Sequence, residues 1–542
     1  MKKIALWTLV ALLAVALLAG CALSKEEPVD ENLENKYDFG TLPTVGINWD
    51  EMNDDDEPTE EETAAIEETV PMRSHTLNTT TNVVANDVDP VRYVMIYNPD
   101  IYDEDADFNF GRSTGNLGMQ VEVDLNRGGL EKELTNVSVD QGKLNEKVPF
   151  GELGGEGSRS NAMVEPFKLG DTEIFYCYDE ISTENPRIAR TFTCRYAGTH
   201  CNIWVADCEI SEEIIQDYGT QFDDYIYPNV TGTFGQPRFS QYGGKVNLLY
   251  YPLPDGLGGC FSFWDLYDSQ EVTLNDIITY GLNTNLDILH INANYTVYEE
   301  MQTVMRSTMA HEFQHLICAT AAFETLNFDI CSVWFNEAMS GYIEEMLYPG
   351  VKETGSSHME MFRYSDLIRN GQSMYNFDST YDDFGVYGSV YLYSEYLAGV
   401  AGKNVFTNFH NYWRASYSET LCVAEALAES LPLELKLTLD SSVPYPETMV
   451  FDSYYEQLLS KLTLQFYLEL LSKDATDPKA FATVNGQDLL YNQINATTIE
   501  GGGRIIVALQ GDSYTIPADA DEGLIYVGLN KDFEPVTALI CS

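Results

Sequence analysis

The segment Ser307 to Ala321, STMAHEFQHLICATA, holds two of the chain's seven histidines four residues apart, His311 and His315, with Glu312 directly after the first. On an α-helix, positions i and i+4 lie about 40° apart around the axis, so both imidazoles leave one face and can bind a single ion. Glu312 is turned by about 100° from His311, near enough to take a proton from a water beside that ion without occupying a ligand position. Imidazole nitrogens suit Zn2+, and a catalytic zinc ion takes three protein ligands and leaves a fourth position open.

The third ligand has to be sought downstream. A metzincin would place Gly and His at the positions held here by Cys318 and Ala321, which excludes that class. The other common solution takes a glutamate from the next helix, and SVWFNEAMSGYIEE supplies Glu337 twenty-two residues after His315. Glu337 falls early in an apolar, helix-compatible run, where an ionised carboxylate is expensive unless it has a partner. Glu324, Asp329, Glu344 and Glu345 are its rivals, and Glu337 is preferred because the first two fall in or near the connection and the last two nearer an exposed end.

HEFQHLI followed by WFNEAMSGYIEE resembles the gluzincin zinc metallopeptidases, and most closely the hyicolysin-type bacterial neutral metalloendopeptidases. The similarity extends from CNIWVAD through DILHINAN to DDFGVYGSVYLYSEYLAG. It implies a zincin-like domain in which His311, His315 and Glu337 hold one Zn2+ and Glu312 is the general base of peptide hydrolysis. Thermolysin-like enzymes carry an aspartate four residues after the ligand glutamate to orient a histidine, and this chain has Gly341 there. Ser340, Glu344 and Asn336 remain open as substitutes, because a metal-bound imidazole donates its other N–H to a partner. Tyr387 is a weaker candidate for stabilising the oxyanion, against the alternative of a core aromatic. Zinc aminopeptidases with this metal pattern carry a G-x-M-x-N stretch, which is absent before HEFQH, so an endopeptidase is expected rather than an exopeptidase. The competing expectation is a surface binding protein on a protease-like fold that no longer turns over.

Lys2 and Lys3 precede an apolar run from Ile4 to Leu18 that is too short for an ordinary membrane span and has the layout of a secretory signal. The run ends in Leu18-Ala19-Gly20-Cys21, which resembles the bacterial lipobox and implies lipidation of Cys21 and an exported chain anchored to a membrane. From Glu26 to Val70 the only basic residue is Lys36, with almost no periodic apolar pattern, which reads as a disordered spacer. The net charge of −55, from 85 acidic and 30 basic residues, opposes nucleic acid and anionic membranes as partners, while protein or peptide substrates are what the metallopeptidase resemblance implies. Asp103, Asp105, Asp107 and Asn109 alternate as Ca2+ ligands could, but without the glycine of an EF-hand loop. Nine cysteines follow Cys21, four of them between Cys177 and Cys208, where disulfides are plausible in an exported chain. Cys318 reads as a small buried residue or as a bridge to Cys331.

These groups need a frame. Short β-rich runs, among them VRYVMIY, TEIFYCY, RTFTCRYAG and HCNIWVAD, precede a helix over EISEEIIQDYGTQFDDYIYPNV. KVNLLYYPL and LDILHINAN are further strands, and helical periodicity then covers Glu299 to Glu345 with a break near Asn327 to Ile330. GSVYLYSEYLAGVAG and YYEQLLSKLTLQFYLELLSKD continue as helices, and the last sixty or so residues return to strands. The expectation is an α+β protein comprising a lipoprotein signal over 1–20, an acidic linker over 21–88 and an N-terminal β-rich region over 89–165. A zinc metallopeptidase domain over 166–475 and a small C-terminal β domain over 476–542 complete it.

Overall fold

The computed structural model describes residues 82–84, 91–101, 108–109, 166–179, 187–237, 244–253, 258–266, 281, 283, 286–296, 298–324, 331–349, 371, 373–375, 385–415, 423–442, 453–471, 498–508, 513–515 and 523–540. The chain divides into two units, 1–71 and 72–542, and every described residue belongs to the second. Cys21, the acidic stretch, and Asp103, Asp105 and Asp107 of the calcium pattern lie outside the described residues.

The first strands are β1 (Asn82–Val84), β2 (Tyr93–Tyr97) and β3 (Phe108–Asn109). Then come β4 (Thr172–Cys177), β5 (Ile188–Ala197), β6 (Cys201–Val205), β7 (Val246–Tyr251), β8 (Gly259–Phe261) and β9 (Ile288–Asn292). They form a six-stranded sheet of order β4-β5-β6-β7-β9-β8. Its centre is parallel, β6 to β7 to β9, while β4, β5 and the edge strand β8 are antiparallel to their neighbours. The central strands are buried at every position, as expected when both faces of parallel strands are covered. β4 alternates exposed and buried side chains instead, because its outer face meets water.

Alternation along the central strands sorts side chains into two cores. Ile203, Leu248, Tyr250, Leu289 and Ile291 face the helices. Trp204, Leu249 and Ile288 face the other way, with Phe175 and Phe192.

The helices are α1 (Glu212–Gln221), α2 (Tyr227–Phe234), the short α3 (Ala293–Thr296), α4 (Gln302–Glu324) and α5 (Val333–Leu347). They continue as α6 (Gly385–Ala401), α7 (Val405–Ala415), α8 (Val423–Ser430), α9 (Leu433–Ser442) and α10 (Tyr454–Leu471). A π-helical turn, Phe222–Ile226, joins α1 to α2. α1 starts where the Ser211 hydroxyl accepts from the Ile214 N–H, with Glu212 and Glu213 favourably placed in the first turn. α4 lies on the sheet's helical face, and α5 packs against both α4 and α6. Among the described residues, no helix is long and apolar enough to cross a membrane.

The α+β class expected from the sequence is the one observed, with a mixed sheet followed by the HEFQH helix and its neighbour. One feature of the ends departs from the expected order. The last strands, β10 (Thr498–Ile499), β11 (Arg504–Ala508), β12 (Ser513–Thr515), β13 (Ile525–Leu529) and β14 (Pro535–Ile540), do not keep to themselves. β2 sits between β11 and β13 in an antiparallel sheet of order β11-β2-β13-β14, so the β-rich start and the C-terminal strands share one sheet.

The expected disulfides are not found: Cys177, Cys194, Cys201, Cys208, Cys260, Cys318 and Cys331 are all free. Strand register separates two of the four clustered cysteines. Cys177 stands opposite Ile188 while Cys194 lies six residues further along β5, about 20 Å away at about 3.3 Å per residue. Cys318 and Cys331 do approach each other, as thiols in the apolar core between α4 and α5.

Candidate metal centre

His311 and His315 project from successive turns of α4, and Glu337 projects from α5. One ligand atom from each lies within 4.8 Å of the other two, a spacing that a single ion can span. His311 Nε2 is 3.3 Å from Glu337 Oε2, and His315 Nε2 is 3.5 Å from Glu337 Oε1. The Ser340 hydroxyl donates to the Glu337 carbonyl at 3.0 Å, with the Glu337 carboxylate 3.4 Å away. α5 presents Glu337 on a helix that is buried along nearly its whole length, which is why this carboxylate is only 2 % exposed.

These groups fit a cation. Both imidazole nitrogens of His315, Oε1 of Glu337 and Oε2 of Glu312 are buried without a hydrogen bond. Leaving several buried polar atoms unsatisfied costs about 1–3 kcal/mol each, so their convergence calls for a partner. Two neutral imidazoles and a carboxylate form the donor set that holds Zn2+.

The electrostatics follow from burial and proximity. Burial pushes the Glu312 carboxyl up to about 8, with His311 opposing and Glu337 reinforcing the rise. Burial pulls His315 down to about 4. Burial would also lower His311, but hydrogen bonds to Glu337 and Glu344 outweigh it and hold that imidazole well above its ordinary value. For Glu337 burial is outweighed by His315 and His311, which keep the carboxyl below the usual range.

The edge strand β8 lies against α4 at this point. Gly258 and Gly259 approach Thr308, Gly259 also approaches Glu312, and the Phe261 main chain faces the Glu312 carboxylate. Among the residues named as possible partners of the imidazoles, Glu344 Oε2 is 3.2 Å from His311 Nδ1, and the Asn336 side chain faces His315. The other glutamate rival on α5, Glu345, is not in the group of three, and Glu324 lies at the last position of α4. Asp329 lies outside the described residues. Tyr387 is half-buried in the first turn of α6.

A buried polar network around β9 has no counterpart in any local motif. Asp265, wholly buried, accepts from Arg187 at 2.6 Å and from Asn283 at 2.9 Å, and lies 2.9 Å from His290 Nε2. The Tyr251 hydroxyl is 3.0 Å from His290 Nδ1; burial disfavours the charged ring, and a neutral imidazole that donates to Asp265 from Nε2 accepts from Tyr251 at Nδ1. Burial lowers His290; the Asp265 carboxyl, which burial would raise, is held low by Arg187 and His290. No local spacing connects residues 187, 265 and 290, so only the fold could reveal them. His200 stacks on Tyr227, and His410 packs on Phe234 and Phe409.

No protein-family model matches the chain. Among solved structures it is similar to the ZmpB metallopeptidase from Clostridium perfringens, at 10% identity and a TM-score of 0.27 over 63% of this chain and 68% of that one. It is also similar to the neutral metalloprotease ShpI of Staphylococcus hyicus, 28% identical over 271 residues that make up 48% of this chain and 58% of that protein. The match thus spans little more than half of the relative's length. Along that stretch the chain is a relative of a bacterial neutral metalloprotease, in keeping with the resemblance of HEFQHLI and WFNEAMSGYIEE.

Proposed function

We propose that this protein is a zinc-dependent endopeptidase of the gluzincin type, with His311, His315 and Glu337 as ligands and Glu312 as general base. The observation that carries the reading is the convergence of three ligand atoms within 4.8 Å, with His315 and Glu337 buried and atoms of both lacking a hydrogen bond, beside an equally buried carboxylate. A bound zinc ion would supply Lewis acidity, polarising a peptide carbonyl and making a water more acidic. The chain's own residues do the rest. Glu312, buried beside the ligand group, is placed to take the proton of the attacking water and pass it to the leaving amine. β8 is the outer strand of its sheet and runs beside Glu312, so an extended peptide can pair along it with its scissile bond at the metal.

Replacement of Glu312 by Gln tests this reading on blocked internal peptides. The expected result is stoichiometric zinc with hydrolysis reduced by at least about 100-fold, the scale on which a general base contributes. Undiminished hydrolysis would overturn the role of Glu312, and parent protein that binds zinc yet cleaves no peptide would favour a binding protein on a protease-like fold. Export and lipid anchoring through Cys21 belong to the same proposal and rest on residues 1–21. Loss of acyl labelling and of membrane association in Cys21→Ser is the expected outcome.

A further inference from the structure

The two ligand helices run against each other so that contacts step backward along α4 as α5 advances. Glu337 meets His315 and His311, and seven residues later Glu344 meets His311 and Ser307. Seven residues are two helical turns, so both glutamates leave the same face of α5, about 10 Å apart along its axis. His311 is held between them, with Nε2 3.3 Å from Glu337 Oε2 and Nδ1 3.2 Å from Glu344 Oε2.

We propose that Glu344, steadied by Ser307, is the positioning carboxylate that orients His311 for the metal, in place of an acidic residue at position 341. The proposal rests on the metal reading above. An imidazole ligates through a nitrogen that carries a lone pair, and which nitrogen that is depends on the hydrogen bond made by the other. Glu344 accepts from Nδ1–H, which leaves the Nε2 lone pair directed at the place where Glu337 and His315 converge. The Ser307 hydroxyl, one turn before His311, lies 3.0 Å from Glu344 Oε1 and 2.8 Å from the Val304 carbonyl. Its single proton goes preferentially to an ionised carboxylate, since charge-assisted hydrogen bonds are the stronger ones.

The alternatives on α5 are engaged elsewhere. Ser340 donates to the Glu337 carbonyl and lies beside its carboxylate, and Asn336 faces His315. Gly341, four residues after Glu337, has no side chain to offer. The side chains of Glu344 and His311 are each 14% exposed.

Zinc affinity, measured on the full chain by competition with a chromophoric chelator, tests the assignment. Replacing an outer partner of a ligand histidine typically weakens metal binding by about 10- to 100-fold, and that range is expected for Glu344→Ala. Glu344→Gln, whose amide oxygen still accepts from Nδ1–H without the charge, should lose less. Ser307→Ala removes one neutral donor and should weaken binding by about 2- to 10-fold. Urea midpoints of the chelator-treated variants separate positioning from packing, because a packing role lowers the midpoint and leaves the zinc affinity of folded protein unchanged. Glu344→Ala that binds zinc like the parent, while His315→Ala does not bind, overturns the proposal and leaves the metal reading standing. Failure of the parent to bind zinc overturns both.

Discussion

Gly259 is the position at which the edge strand and the proposed general base constrain each other most directly. A β-carbon there would stand 2.8 Å from Thr308 Cγ2, 3.0 Å from the His290 carbonyl oxygen and 3.3 Å from Glu312 Cγ. The first contact cannot relax by simple rotation, because the Thr308 hydroxyl donates to the Val304 carbonyl at 2.9 Å. The second is main chain of the inner strand β9. Either β8 or α4 must shift. Overpacking of this kind costs about 1–3 kcal/mol, while the lower backbone entropy of an unfolded chain with Ala in place of Gly returns only about 0.4–1 kcal/mol. Gly259→Ala should therefore be destabilised, by about 1–2 kcal/mol net, and remain folded against a typical total of about 5–15 kcal/mol. The same shift moves Glu312. Misplacement by about 1 Å can reduce a rate by about 100-fold, and a displacement of a few tenths of an ångström should lower kcat/KM by about 10-fold. Urea unfolding and hydrolysis of a blocked peptide, both at saturating zinc, are the assays. Gly232→Ala in α2 is the matched control, since a β-carbon there meets nothing within 4 Å and should stabilise the helix by up to about 1 kcal/mol. A Gly259→Ala protein as stable and as active as the parent would refute the close approach of β8 to α4.

The buried network behind the edge strand makes two further predictions. Asp265→Asn leaves Arg187 buried without its counter-charge and should cost about 3–5 kcal/mol in urea unfolding; a loss below about 1 kcal/mol would mean that water reaches the pair. His290 is lowered by burial, so the unfolded chain takes up its proton near pH 6.5 and the folded chain only at more acid pH. Its contribution is complete above about pH 6.5 and is lost as pH falls, so the parent's stability margin over His290→Gln should shrink between pH 7 and 5. A margin independent of pH would show that this imidazole titrates as an exposed one does.

HEFQH was legible because metal chemistry and helix geometry both act over four residues. A run of apolar periodicity places His311 and His315 on one face without reference to the rest of the chain. Glu337 was legible with more effort, since a carboxylate in an apolar helix needs a partner and the spacing to the next helix is short. The central strands β6, β7 and β9 were readable for the same reason: their burial is recorded in continuous apolar runs. Tertiary structure alone decided which of Ser340, Glu344 and Asn336 reaches which imidazole, because that depends on how far α5 slides along α4. It alone joined β2 to β11 and β13 across some four hundred residues of chain, and assembled Arg187, Asp265 and His290 in one buried network. The cysteines show the limit from the other side: proximity in sequence suggested bridges, but strand register carried Cys177 and Cys194 apart. Residue type and local period determine what a segment can do, whereas pairing register and helix sliding, set by packing distant segments together, determine which groups actually meet.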